Sequence, residues 1–191
     1  MRTSRVYAVL SVALAGVACS DNTTAPTAEW TATMDVAHEV PGTVVGTSTA
    51  TGTVVVSFSG GGASAGSLTY TLTIAGAPTS AISAAHIHGG TTAAGAAGTA
   101  GSVRVNLCGA PGITADGRTS AVWPVCPPGA GTTGSQTVTW PTGATLVGGT
   151  GLTFDQLVAA VKASNTYANV HTANNAGGEI RGQLLPTPGL P

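Results

Sequence analysis

Two histidines separated by one residue, His86 and His88, carry the most chemically suggestive spacing in the chain. In an extended strand, side chains two residues apart leave the same face with backbones about 7 Å apart, so the imidazoles stand side by side as a pair of metal ligands does. A third ring, His171, ends the run Tyr167-Ala168-Asn169-Val170-His171, and a fourth, His38, precedes Glu39-Val40-Pro41. Three imidazoles suit copper or zinc, borderline ions that favour nitrogen donors, and His38 is a candidate fourth ligand. A plainer role is open to the same residues. His-x-His pairs arise by chance, and buried histidines commonly hold loops by donating to backbone carbonyls.

Near the C-terminus, Gly177-Gly178-Glu179-Ile180-Arg181-Gly182 sets a carboxylate and a guanidinium two residues apart. The structural expectation is a cross-strand ion pair or a hydrogen-bonded clamp on the returning chain. The functional alternative places Glu179 and Arg181 beside the metal ligands, with Arg181 attracting an anion. Two glycines permit a sharp turn into the last strand, and Asn174 and Asn175 supply turn chemistry. No Ser or Cys nucleophile with a partner base is visible, and no glycine run leads into Lys-Ser or a βαβ unit, so nothing cradles phosphate.

These residues need a scaffold, and composition says which kind. Of 191 residues, 42% are hydrophobic and only 7% charged, with 28 Gly and 11 Pro and a mean hydropathy of +0.31. Charge-driven disorder is excluded by that balance. With six Lys plus Arg there is no basic footprint for nucleic acid. Thr, Val, Ala and Gly dominate where a helical bundle would need Leu, Glu and Lys, as short strands joined by tight turns require. Strand patterns fall at 29–36, 49–59, 66–74, 82–88, 101–107, 119–125, 137–140, 167–172 and 178–185. Gly60, Gly61 and Gly62 separate two alternating segments and predict a hairpin. One segment, near 153–163, reads as a helix: Thr153 and Gln156 have capping-box spacing, and Phe154, Leu157, Val158 and Val161 recur at helical intervals. About nine strands and one helix predict an all-β, antiparallel Greek-key sandwich, immunoglobulin-like in general shape.

Residues 1–18 have the layout of a secretory signal: Arg2 and Arg5, then an apolar run too short to span a bilayer. Gly16, Val17 and Ala18 before Cys19 resemble the lipobox of bacterial lipoproteins, in which that cysteine is acylated; Gly16 stands where Leu is usual. Residues 19–28 then form a polar tether from a lipid anchor at Cys19, and 186–191 a disordered tail. Loss of Arg2 and Arg5 with the leader leaves 4 of 6 basic residues against 7 acidic, a net charge of −3. Cys108 and Cys126 remain, and an oxidising compartment turns such a pair into a disulfide, contributing about 3 kcal/mol by loop closure.

Glu39-Val40-Pro41, Ala85-His86-Ile87-His88-Gly89, Tyr167-Ala168-Asn169-Val170-His171-Thr172 and Gly178-Glu179-Ile180-Arg181-Gly182-Gln183-Leu184 together resemble the CHRD domain, first recognised in chordin and common in bacterial exported proteins. The resemblance spans about 29–185, nearly all of the mature chain. It departs at Gly42, where a second Pro is frequent, and at Ala176 and Gly177, where a Pro precedes Gly-Glu. It implies an immunoglobulin-like sandwich and no particular activity; chordin's antagonism of growth factors does not transfer to a lone domain. A weaker likeness is to copper-zinc superoxide dismutase, which implies copper ligation by His86, His88 and His171 with Arg181 as a guiding cation. No histidine here matches the ligand bridging copper and zinc.

The leading expectation is therefore a non-enzymatic, exported, lipid-anchored module of the bacterial cell envelope. It would touch the membrane through Cys19 and bind a protein or small-molecule ligand. Its rival is a mononuclear copper protein acting on superoxide or another small oxidant.

Overall fold

Alternation of apolar and polar side chains dictates most of the architecture. In Gly66–Ala75, Leu68, Tyr70, Leu72 and Ile74 are buried while the threonines between them face outward, as a sheet with one covered face requires. The computed structural model describes residues 28–40, 42–90, 96–109, 124–140, 145–146 and 152–189. Its strands are β1 (Glu29–Asp35), β2 (Thr51–Gly60), β3 (Gly66–Ala75), β4 (Ile82–Gly89), β5 (Val103–Gly109), β6 (Gly131–Trp140), β7 (Thr145–Leu146), β8 (Leu152–Thr153), β9 (Thr166–Thr172), β10 (Ile180–Gln183) and β11 (Leu185–Pro186). Helix α1 (Phe154–Lys162) lies between β8 and β9.

Nine strands form one antiparallel sheet in the order β5-β4-β9-β10-β1-β2-β3-β6, with β11 added beside β10 on β1. The sheet curls almost into a barrel, so its two halves face each other as a sandwich. Tyr70 on β3 donates its hydroxyl proton to the Leu107 carbonyl on β5, although the two strands stand near opposite ends of the order. One continuous core results, with Trp30, Met34, Val54, Leu72, Ile87, Leu107, Trp140 and Leu157 all in it.

Local signals behave as their chemistry demands. The β2–β3 hairpin turns through Gly60, Gly61 and Gly62, all at positive φ. Thr153 caps α1 by accepting from the Gln156 backbone N–H, while the Gln156 side chain accepts from Thr153 N–H. Phe154, Leu157, Ala160 and Val161 turn inward, and Phe154 meets Phe58 edge-on and Trp140 at a tilt. Cys108 and Cys126 are joined in a disulfide, with Cα atoms 5.0 Å apart.

Three boundaries differ from expectation. Pairing continues past Leu185, since Pro186 faces Trp30 across β1–β11 and Thr187 N–H donates to the Glu29 carbonyl, so the first residues of the expected tail belong to the sheet. Strand β6 begins at Gly131, well before 137, because β3 supplies a ladder that this glycine- and threonine-rich stretch joins without an apolar pattern of its own. Of the strand expected at 119–125, Pro124 and Val125 lie outside any strand and the rest falls outside the described residues, as do the leader and Cys19.

Candidate metal centre

Strands β4, β9, β10 and β5 bury both faces, which is why β9 is covered at every position. One face carries Ala85, Ile87, Val105, Leu107, Ala168, Val170 and Ile180 into the apolar core. The opposite set is polar. His86 pairs in register with Asn169 and Asn106, His88 with Tyr167, and Arg181 with Asn169, so two-residue periodicity collects the chemistry on one patch.

Three of the four expected ligands meet there. His86, His88 and His171 are 6%, 8% and 8% exposed, with ring centroids 4.8 to 5.7 Å apart, and one nitrogen from each lies within 4.8 Å of the others. His88 Nδ1 is 3.0 Å from the Gly101 carbonyl oxygen and His171 Nδ1 is 2.9 Å from that of Ala176. Carbonyls only accept, so each Nδ1 carries the proton and each Nε2 keeps its lone pair. Both Nε2 atoms, and both ring nitrogens of His86, are buried without a hydrogen-bond partner. Leaving such atoms unmet is costly, and native structures do so rarely.

The rings are also neutral. Burial, together with the neighbouring His171 and His88, pushes His86 down to about 3. Burial pushes His88 to about 4, with the charges of Arg181 and Arg104 acting the same way. His171 is lowered by burial too. Because these atoms all lie within 4.8 Å of one another, an ion among them would be at most about 2.8 Å from each, so a small inward shift of the rings reaches metal–imidazole distance. Neutral donors, orphaned lone pairs and fixed tautomers fit a late first-row transition metal.

His38 is not part of this group. It is exposed, with Nδ1 2.7 Å from Asp35 Oδ1 on the same 3-10 turn, a local contact that keeps it from the three buried rings. Glu179 and Arg181 do not pair with each other. The Glu179 carboxylate accepts from Ser48 Oγ, Thr79 N and Oγ1, Thr172 Oγ1 and Asn175 Nδ2, closing the clamp that was one of its two expected roles. Burial opposes its charge, but the hydrogen bonds from Ser48, Thr172 and Thr79 outweigh it and hold the carboxyl near 2. Arg181, only 2% exposed, lies with its guanidinium carbon 3.4 Å over the Tyr167 ring and donates to the carbonyls of Ala96 and Thr99. A cation so enclosed is a lining of the site rather than a lure for anions in solvent.

Several contributors lie within the quoted motifs, but the sequence assigns them no role at the site. Tyr167 stacks on His88 with centroids 5.0 Å apart and 6° between planes, and its hydroxyl accepts from Gly101 N–H. Asn169 Nδ2 donates to both oxygens of buried Glu39, whose carboxyl burial raises against the hydrogen bonds of Val40 and Asn169. Gly178 sits at φ +136°, and a Cβ there would come within 2.6 Å of Glu39 Oε2 and 2.7 Å of Asn169, which explains the glycine before Glu179. Strand alternation from His171 back through Asn169 to Tyr167 points to two of these neighbours, and no sequence spacing points to the contacts of Glu39 and Gly178.

The family model for the CHRD domain matches residues 30–184. No curated protein and no solved structure matches the chain.

Proposed function

From the premise that the chain belongs to the CHRD domain family, we propose that it is an exported, lipid-anchored binding module of the cell envelope and that its ligand is a copper ion held by His86, His88 and His171. One observation carries the ligand: buried Nε2 lone pairs of His88 and His171, facing a His86 ring with neither nitrogen partnered. Arg2, Arg5, the apolar run and Cys19 support export and anchoring. Copper, when bound, would supply a Lewis-acidic and redox-active centre. His88 and His171 would present fixed tautomers, Tyr167 would brace His88, and Arg181 would close the side beneath Ala96 and Thr99.

The test is elemental analysis of the full chain purified without affinity metal, then incubated with copper in the presence and absence of ascorbate, so that both valences are offered. About one copper per chain, lost in His86→Ala and His88→Ala, is expected; no retained copper overturns the ligand. The Nδ1 bonds of His88 and His171 to loop carbonyls favour a second, structural reading. Under it the same variants would melt lower and the wild-type melting temperature would ignore added copper. Retention in the membrane fraction that disappears in Cys19→Ser tests the anchor.

A further inference from the structure

We propose that the three histidines form a site for monovalent copper, discriminating against divalent copper and zinc; this rests on their being metal ligands at all. The donor set is the first reason. All three rings are neutral, and two have committed Nδ1–H to carbonyls, so the ion's whole charge stays uncompensated. Among the described residues, no carboxylate or thiolate joins the group. Glu179 is committed to five hydrogen bonds, and Glu39 to Val40 and Asn169. Cys108 and Cys126 are tied to each other.

Burial then separates the valences. His86, His88 and His171 are each under one-tenth exposed. The cost of taking an ion out of water rises as the square of its charge, so a divalent ion meets about four times the penalty of a monovalent one of equal size. Surrounding charge pushes the same way. The Arg181 guanidinium stacks on Tyr167, Tyr167 stacks on His88, and Arg104 bonds to the Gly89 carbonyl one residue beyond His88. Each raises the energy of a second positive charge on the ion.

Coordination number is the third reason. Zinc on three histidines keeps a fourth ligand, commonly water, and divalent copper prefers a tetragonal set. A filled-shell monovalent copper is satisfied by three nitrogens, which is the number present. The ligand atoms that would greet an added water are themselves sealed from solvent.

The experiment titrates the full chain, anaerobically, with Cu(I) held by bicinchoninate, and in parallel with Cu(II) and Zn(II) against matched chelators. One Cu(I) per chain, bound at least about 100-fold more tightly than Zn(II) or Cu(II), is expected. The loaded protein should also show no Cu(II) paramagnetic signal on exposure to air. Equal or tighter binding of either divalent ion overturns the valence preference and leaves the metal site standing. Failure to take up any of the three ions overturns both.

Discussion

Mild acid should destabilise the metal-free protein before its carboxylates titrate, and the size follows from the buried rings. An unfolded histidine titrates near 6.5, whereas burial holds His86 near 3 and His88 near 4. Above 6.5 both states carry neutral rings. Below it the unfolded chain takes up protons that the folded chain refuses, so stability falls with pH until the folded values are reached. One unit below the unfolded value, each ring costs RT ln 11, about 1.4 kcal/mol, so His86 and His88 remove about 3 kcal/mol and His171 adds in the same direction. Glu39 works the opposite way because burial raises it, and Glu179, held low, loses its contribution only below 4.5. Comparing wild type with His86→Leu cancels those common terms. Urea unfolding with chelator at about pH 7.5 and about pH 5.5 gives the four free energies needed. Wild type should lose about 1.4 kcal/mol more than the variant over that interval. Equal losses, within about 0.3 kcal/mol, would refute the claim that His86 is buried and neutral.

Glu179→Gln turns an acceptor of five hydrogen bonds into a group that also donates, which should cost about 3 kcal/mol and lower the melting temperature by about 6–12 °C in a calorimetric scan. Gly182→Ala would put a Cβ 2.0 Å from the Thr33 carbonyl oxygen and force β10 off β1, a loss beyond about 3 kcal/mol by chemical denaturation. By contrast Gly62→Ala, with nothing within 4 Å of its Cβ, should cost only the roughly 1 kcal/mol of left-handed backbone. Reducing Cys108–Cys126 should lower stability by about 3 kcal/mol, seen as a melt shifted by added thiol.

What could be read in the sequence was local. The hairpin at Gly60–62, the Thr153–Gln156 cap and the common face of His86 and His88 follow from turn chemistry and a period of two. What could not be read depends on strands meeting far along the chain. His38 looks like a ligand in the sequence, but a one-turn contact with Asp35 holds it at the surface. The donors to Glu179 come from Ser48, Thr79, Thr172 and Asn175, a convergence no spacing encodes. The pile of Arg181, Tyr167 and His88 likewise exists only because β10, β9 and β4 lie side by side.

Strand β1 lies between β2 on one side and β10 with β11 on the other, so among the described residues the first strand is partnered by the last two. Asp35 waits for Arg181 and Trp30 for Pro186. Until β10 and β11 have emerged, β1 has an open seam in the middle of the sheet. Such long-range closure makes folding slow. For a chain that crosses a membrane unfolded, as the proposed leader requires, this delay is useful: the sheet cannot close on the wrong side.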